Sequence, residues 1–192
     1  MLDAPGLLLK RALDHAAQWH EGQFRKYPGV RVAYLSHPAG VVGILAQHRF
    51  PEPVLAAGAL HDVIEDTEAT FELVEQHFGT QVATLVHLVS EHDKSLPWEA
   101  RKQAYLDRFP NKPWEAQAIT LADKIDNLRS TVVCAAEHGN PWAQFKRGRT
   151  AQLRRYDALL HAARALPEHP LVEQLAEAIE QVRRIDDDGR LH

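Results

Sequence analysis

The sequence predicts an all-α fold, a single-domain helical bundle. Apolar residues recur at i, i+3 and i+4 through most of the chain, no segment alternates with a period of two, and the periodic stretches are separated by Gly, Pro, Asn and Thr at helix-like intervals. With 192 residues, 45% of them hydrophobic, the chain is long enough for one domain with a real core. We expect that domain to span residues 1–192, with a core over about 6–165 and a last helix over about 170–185.

The first helix is predicted from Pro5 to His20, where Leu8, Leu9, Ala12, Leu13 and Ala16 form one apolar stripe. Glu21 to Ser36 breaks the pattern with Gly22, Pro28, Gly29 and several basic residues, and reads as a functional loop. A helix follows from about Pro38 to His48, Pro38 suiting a first turn. Pro51 and Pro53 open another, expected to run unbroken to about Asp66. Thr70 caps a helix ending at Gly79, and Thr80 one ending near Glu91. His92 to Pro97 is a polar break. Trp98–Phe109 is helical, and Pro113 precedes a long helix over about Trp114–Glu137. Gly139, Asn140 and Pro141 make a turn before two more helices, about Trp142–Leu166 and Pro170–Ile185. The tail Asp186-Asp187-Asp188-Gly189 is expected to fray.

The net charge of -4 gives no reason to expect non-specific binding to nucleic acid or anionic membrane, so an anionic ligand needs a local basic site. The single cysteine, Cys134, excludes an internal disulfide, suits a reducing cytoplasm, and lies in an apolar helical stretch where packing is its expected role. The apolar run Leu7-Leu8-Leu9 is too short for a signal peptide or membrane span.

Three stretches carry chemistry. In Leu60-His61-Asp62-Val63-Ile64-Glu65-Asp66-Thr67, the adjacent imidazole and carboxylate suit a divalent transition metal. On a continuous helix His61 and Glu65, and Asp62 and Asp66, share a face. The first pair then holds a cation while the second lies near the attacking water; the plainer reading of Glu65-Asp66 is a solvated helix end. In Leu121-Ala122-Asp123-Lys124-Ile125-Asp126-Asn127-Leu128-Arg129-Ser130, the residues Asp123, Asn127 and Ser130 share a face of an apolar helix. An inward carboxylate there needs a partner, which is either a metal or a salt bridge. The third stretch is the loop His20-Glu21-Gly22-Gln23-Phe24-Arg25-Lys26, followed by Tyr34-Leu35-Ser36-His37-Pro38. Arg25 and Lys26 offer a forked and a point cation for phosphates, and His37 sits at a helix start, exposed enough to ligate.

Together these segments resemble the HD superfamily, whose ligand order of His, His-Asp and a distant Asp is matched by His37, His61-Asp62 and Asp123. The resemblance is closer still to the hydrolase domain of RelA/SpoT proteins. His20–Lys26 resembles its H-x-G-Q-x-R-K signature, and His61–Thr67 its HD-x-x-EDT segment with Phe78-Gly79 and Val82-Ala83 beyond. Leu121–Arg129 resembles its LAD-x-x-x-NLR segment. Lys94-Ser95-Leu96-Pro97 with Arg101-Lys102 resembles a further recurring stretch. The match covers about residues 6–165, without room for the synthetase and regulatory domains of the long members, so the chain is similar in plan to the small, free-standing alarmone hydrolases. Asp126 departs from the family pattern, where His or Tyr is frequent, as do Ser130, where Thr is common, and the insertion-like Tyr27–Val32 stretch.

The resemblance implies an HD-type bundle holding one Mn2+ on His37, His61, Asp62 and Asp123, and hydrolysis of the 3′-pyrophosphate of (p)ppGpp-type nucleotides to GDP or GTP. Glu65 and Asp66 would orient or deprotonate the attacking water. Arg25, Lys26 and Asn127 would contact the substrate, with Tyr34 and Ser130 beside them. The basic run Lys146, Arg147, Arg149 reads either as a solvated face or as a contact to the 5′ phosphates. The competing readings are an enzyme for a related nucleotide (a ppApp-type alarmone or NADPH), a non-catalytic alarmone sensor, and a helical scaffold without metal. The expected partner is a small nucleotide in the cytoplasm.

Overall fold

The structure, a computed structural model, describes residues 4–91, 95 and 97–192. Of the expected polar break His92–Pro97 and its Lys94–Pro97 motif, only Ser95 and Pro97 belong to this set; the other residues lie outside the described residues.

Every regular element among the described residues is helical. They are α1 (Leu7–Trp19), α2 (Ser36–Gln47), α3 (Glu52–Ala59), α4 (Val63–Asp66), α5 (Phe71–Phe78), α6 (Thr80–Val89), α7 (Trp98–Arg108), α8 (Trp114–Glu137), α9 (Gly148–Ala163) and α10 (Pro170–Arg183), with short 3-10 turns at Phe109–Asn111 and Pro141–Gln144. Two isolated bridges, Phe24 with Ala33 and Ile185 with Leu191, are the extended pairings among the described residues. None of these helices is long and apolar enough to cross a membrane.

The 24-residue α8 is the axis of the bundle, buried from Ala116 through Ile125 except at Lys124. It packs against α2 and α10, while α3 packs on α1, α2 and α6. One apolar cluster runs through these contacts, from Ala12 and Val41 through Leu60, Val86 and Leu121 to Leu175 and Ile185. Local chemistry sets the ends. Thr70 accepts a hydrogen bond from the Leu73 amide at 3.3 Å, and Gly79 takes a φ of 84° between α5 and α6. The α1 N-terminus is capped from a distance: the Glu52 carboxylate accepts from the Gly6 and Leu9 amides at 3.1 and 2.9 Å.

Three expectations are corrected. The helix opened by Pro51 and Pro53 and expected to run to about Asp66 is interrupted at Leu60–Asp62, between α3 and α4. There the His61 ring donates from Nδ1 to the Gly58 carbonyl at 2.8 Å. The helix predicted to begin at Trp142 begins at Gly148, because Pro141–Gln144 forms a 3-10 turn. The tail is pinned rather than frayed. Trp142 Nε1 donates to the Asp186 carbonyl at 2.8 Å, Ile185 pairs with Leu191, and Asn140 Nδ2 reaches the Asp187 carbonyl at 3.1 Å.

Candidate metal centre and nucleotide cleft

The first turn of α2, the α3–α4 break and the middle of α8 meet at one point. His37 is the second residue of α2, His61 and Asp62 occupy the break, and Asp123 sits on the inward face of α8. Gly58 allows the meeting, since a Cβ there would lie 2.6 Å from Leu45 Cδ1 of α2. His37 and His61 are almost fully buried, at 1% and 4% exposure; the exposed helix start expected for His37 is therefore corrected, because α2 turns that residue toward α8.

The four side chains converge. His37 Nε2 lies 3.2 Å from His61 Nε2, 3.3 Å from Asp123 Oδ1 and 3.6 Å from Asp62 Oδ2. His61 Nε2 lies 3.0 Å from Asp62 Oδ2 and 3.9 Å from Asp123 Oδ1. Ligand atoms of His37, His61 and Asp123 fall within 4.8 Å of one another. Neighbouring donors around a cation with bonds of about 2.1 Å are separated by roughly 3.0–3.4 Å, so the cluster has the scale of a coordination shell. Its chemistry fits too. The far nitrogen of each ring is engaged, His61 Nδ1 on the Gly58 carbonyl and His37 Nδ1 at 2.6 Å from Asp126 Oδ2, which leaves both Nε2 atoms for the centre. Two imidazoles and two carboxylates suit a divalent first-row metal.

The electrostatics of the protein alone describe the same focus of negative charge. Burial lowers the His61 pKa, but the carboxylates of Asp62 and Asp123 outweigh it and lift the value to about 9. Burial raises Asp62 and Asp123, and their cationic neighbours overcome it: His61 and His37 hold Asp62 down, and Lys124 foremost holds Asp123 down. Of the two partners foreseen for Asp123, the salt bridge is seen, with the Lys124 ammonium on Oδ2, while Oδ1 faces His37 Nε2 at 3.3 Å. Tyr34 donates its hydroxyl to Asp62, and Asn127 Nδ2 donates to Asp123 Oδ1 at 2.5 Å. Lys124 and Asp126 have roles that the spacing of motifs did not reveal. The available signal was their position on α8 beside Asp123, with Asp126 three residues on and so on the same face.

A cleft of about 270 Å³ opens over this cluster and is lined also by Glu65, Asp66, Glu91, Lys102 and Tyr105. Glu65 accepts from the Glu91 amide at 3.2 Å, and burial, reinforced by Glu91 and Asp62, raises its pKa. A second cleft, of about 290 Å³, shares Lys26, Tyr34, Asp66, Lys124 and Asn127 with the first. It extends past Arg25, Tyr27, Ser130 and Cys134 to Phe145, Gln152, Arg155 and Tyr156. Arg25 donates to Asn127 Oδ1 at 2.9 Å, tying the basic loop to α8 beside Asp123. The arrangement is a candidate cation site opening into a cleft lined by ammonium and guanidinium groups and, beyond them, aromatic rings.

Of the residues singled out in the sequence, Arg25, Lys26, Tyr34, Glu65, Asp66, Asn127 and Ser130 line these clefts. Lys146 and Arg149 do not. The Arg149 guanidinium is spent on the Ile185 and Arg183 carbonyls, at 2.7 and 2.9 Å, where it caps the end of α10. Arg147 is paired with Glu99 and lies over the Trp98 ring, 4.2 Å from its centre. Arg155 and Gln152, which carried no motif, stand in the wider cleft instead, and Lys102, given no site role although it belongs to a recurring stretch, lines the cleft over the cluster. Cys134 is 2% exposed, as packing requires.

The family model for the HD domain matches residues 12–148, a span that contains all four converging side chains. The chain belongs to the HD-domain family. Among curated relatives it is 38% identical to the guanosine-3′,5′-bis(diphosphate) 3′-pyrophosphohydrolase MESH1 of Xenopus tropicalis over 138 residues, which cover 71% of this chain and 76% of that protein. It is 41% identical to human MESH1 over 131 residues, 67% of this chain and 72% of that protein. A solved structure, described as a metazoan orthologue of SpoT that hydrolyses ppGpp and plays a role in starvation responses, superposes with a TM-score of 0.80 at 34% identity, covering 92% of this chain and 96% of that one. The HD family and all-α bundle expected from the sequence are thereby borne out.

Proposed function

We propose that this protein is a metal-dependent phosphohydrolase that removes the 3′-pyrophosphate of (p)ppGpp-type alarmones, using one Mn2+ per chain and giving GDP or GTP with pyrophosphate. The observation that carries the proposal is the convergence of two imidazole Nε2 atoms and two carboxylates at the neck of a cationic cleft. The MESH1 relatives carry that activity in their names, and the superposed structure is described as hydrolysing ppGpp.

His37, His61, Asp62 and Asp123 would hold the cation. When bound it supplies Lewis-acid polarisation of a phosphoryl oxygen and lowers the pKa of water. The chain's own groups do the rest. Glu65, with its raised pKa, takes the proton of the attacking water, and Asp66 at the mouth of both clefts orients it. The water oxygen joins the phosphorus, the bond from that phosphorus to the 3′ oxygen breaks, and the 3′ oxygen leaves with the proton that Glu65 took from the water. Lys26, Lys124 and Arg25 offset the phosphate charge at the neck, and Asn127 holds Arg25 against Asp123 while facing the ribose side of the cleft. The wider cleft, with Tyr27, Phe145 and Tyr156, takes the base. A buried thiol and an anionic small-molecule substrate suit a cytoplasmic enzyme.

The test is to incubate the protein and Mn2+ separately with ppGpp, pppGpp, ppApp and NADPH and identify the products by chromatography. Pyrophosphate with GDP or GTP is expected. Turnover of ppApp or NADPH alone redirects the proposal to a related nucleotide. Binding of ppGpp without turnover indicates a sensor, and no metal and no binding a scaffold.

A further inference from the structure

We infer that Asp126 is the positioning residue that makes the His37 imidazole a metal ligand, and that Gly40 is the space it occupies; the inference rests on the reading of His37 as a ligand. His37 is 1% exposed, so each ring nitrogen needs a partner inside the protein. Its Nδ1 meets Asp126 Oδ2 at 2.6 Å, and its Nε2 faces His61, Asp123 and Asp62. A carboxylate can only accept, so Asp126 fixes the hydrogen on Nδ1 and directs the Nε2 lone pair to the centre. Its negative charge also strengthens that nitrogen as a donor. Asp126 is one of the positions at which the sequence departs from the pattern it otherwise resembles.

Gly40 is the second half of the argument. It lies three residues after His37 on the same face of α2, and a Cβ built there would collide with the Asp126 carboxylate. The obstacle is the end of a side chain and not backbone, so an alanine at 40 is accommodated by displacing Asp126. The cost of that displacement falls on the hydrogen bond to His37. The two positions are therefore coupled: the methyl group at 40 does harm only while a carboxylate stands at 126.

The test uses Mn2+ alone as the probe, with its Kd measured by competition against a fluorescent chelator, and the melting temperature in excess EDTA as a check on folding. Asp126→Leu is expected to weaken Mn2+ binding by about 10- to 100-fold, the usual effect of losing such a partner of a ligating histidine. Asp126→Asn, whose amide oxygen still accepts from Nδ1, is expected to lose less and to keep the metal-free melting temperature. Gly40→Ala is expected to weaken Mn2+ binding as Asp126→Leu does, and to add nothing in an Asp126→Ala background. In the metal-free protein, the His37 ring N–H resonance is expected to survive in Asp126→Asn and vanish in Asp126→Leu. Wild-type Kd in Asp126→Leu and Gly40→Ala, or additive effects of Gly40→Ala and Asp126→Ala, would overturn the inference. A wild-type protein that binds no Mn2+, with His61→Ala indistinguishable from it, overturns both the inference and the metal reading beneath it.

Discussion

Lys124 offers a test of how the metal centre and the stability of the bundle are linked. Its ammonium sits on Asp123 Oδ2, with its side chain 22% exposed and that of Asp123 10% exposed. Burial lowers its pKa, and Asp123 more than compensates, holding it above the ordinary range. Lys124→Met keeps most of the volume and removes the charge. Breaking a buried ion pair from one side costs about 3–5 kcal/mol, because the remaining charge is left uncompensated. Asp123 keeps its bond from Asn127 Nδ2 at 2.5 Å, so the lower figure, about 3 kcal/mol, applies. For a chain of this length each kcal/mol shifts the melting temperature by about 2–4 °C, so metal-free Lys124→Met should melt about 6–12 °C below wild type. Saturating Mn2+ restores positive charge beside Asp123, so the increase on adding metal should be larger in the variant than in wild type. The assay is thermal unfolding with EDTA and with Mn2+. A metal-free melting temperature within about 2 °C of wild type, or equal increases in the two proteins, would refute the reasoning.

Other outcomes follow from the same geometry. Without metal the folded pKa of His61 is about 9, above its ordinary 6.5, so the stability it contributes is full below pH 6.5 and lost as the pH rises through about 9. Melting temperatures in EDTA should fall across that window. Metal binding has the opposite sign, since the cation must displace the His61 proton: Mn2+ Kd should fall by up to about tenfold per pH unit toward pH 9, read by titration calorimetry in buffers of different ionisation heat. Glu65→Gln should keep the metal and cut turnover by about two orders of magnitude, the scale of losing a general base. A Glu65→Gln protein purified without metal would make that carboxylate a ligand instead.

Much of the centre was legible because its parts are local: His61-Asp62 are neighbours, and Asp123 and Asn127 share a face on a helix expected over about Trp114–Glu137 and found there. The interruption at Leu60–Asp62 was hidden. Within it the His61 ring bonds the Gly58 carbonyl, while the apolar and carboxylate spacing around it suits a continuous helix. Asp126, too, needed the fold, because its partner lies 89 residues earlier and the gap at Gly40 is a property of two packed helices. Lys146 and Arg149 show the opposite failure. Charge density along the chain suggested a phosphate contact, but the start of α9 turns Arg149 onto the end of α10. The tail fits the same explanation: three aspartates suggest solvation, and the hydrogen bond from Trp142 Nε1 that holds it comes from another segment.

The most direct test of the central claim is the metal content of the purified protein after equilibration with Mn2+ and removal of free ions, compared with that of His61→Ala and Asp123→Ala. One manganese per chain in wild type, and loss of it in both variants while each stays folded, is the predicted result. Equal metal in all three, or none in wild type, would contradict the account.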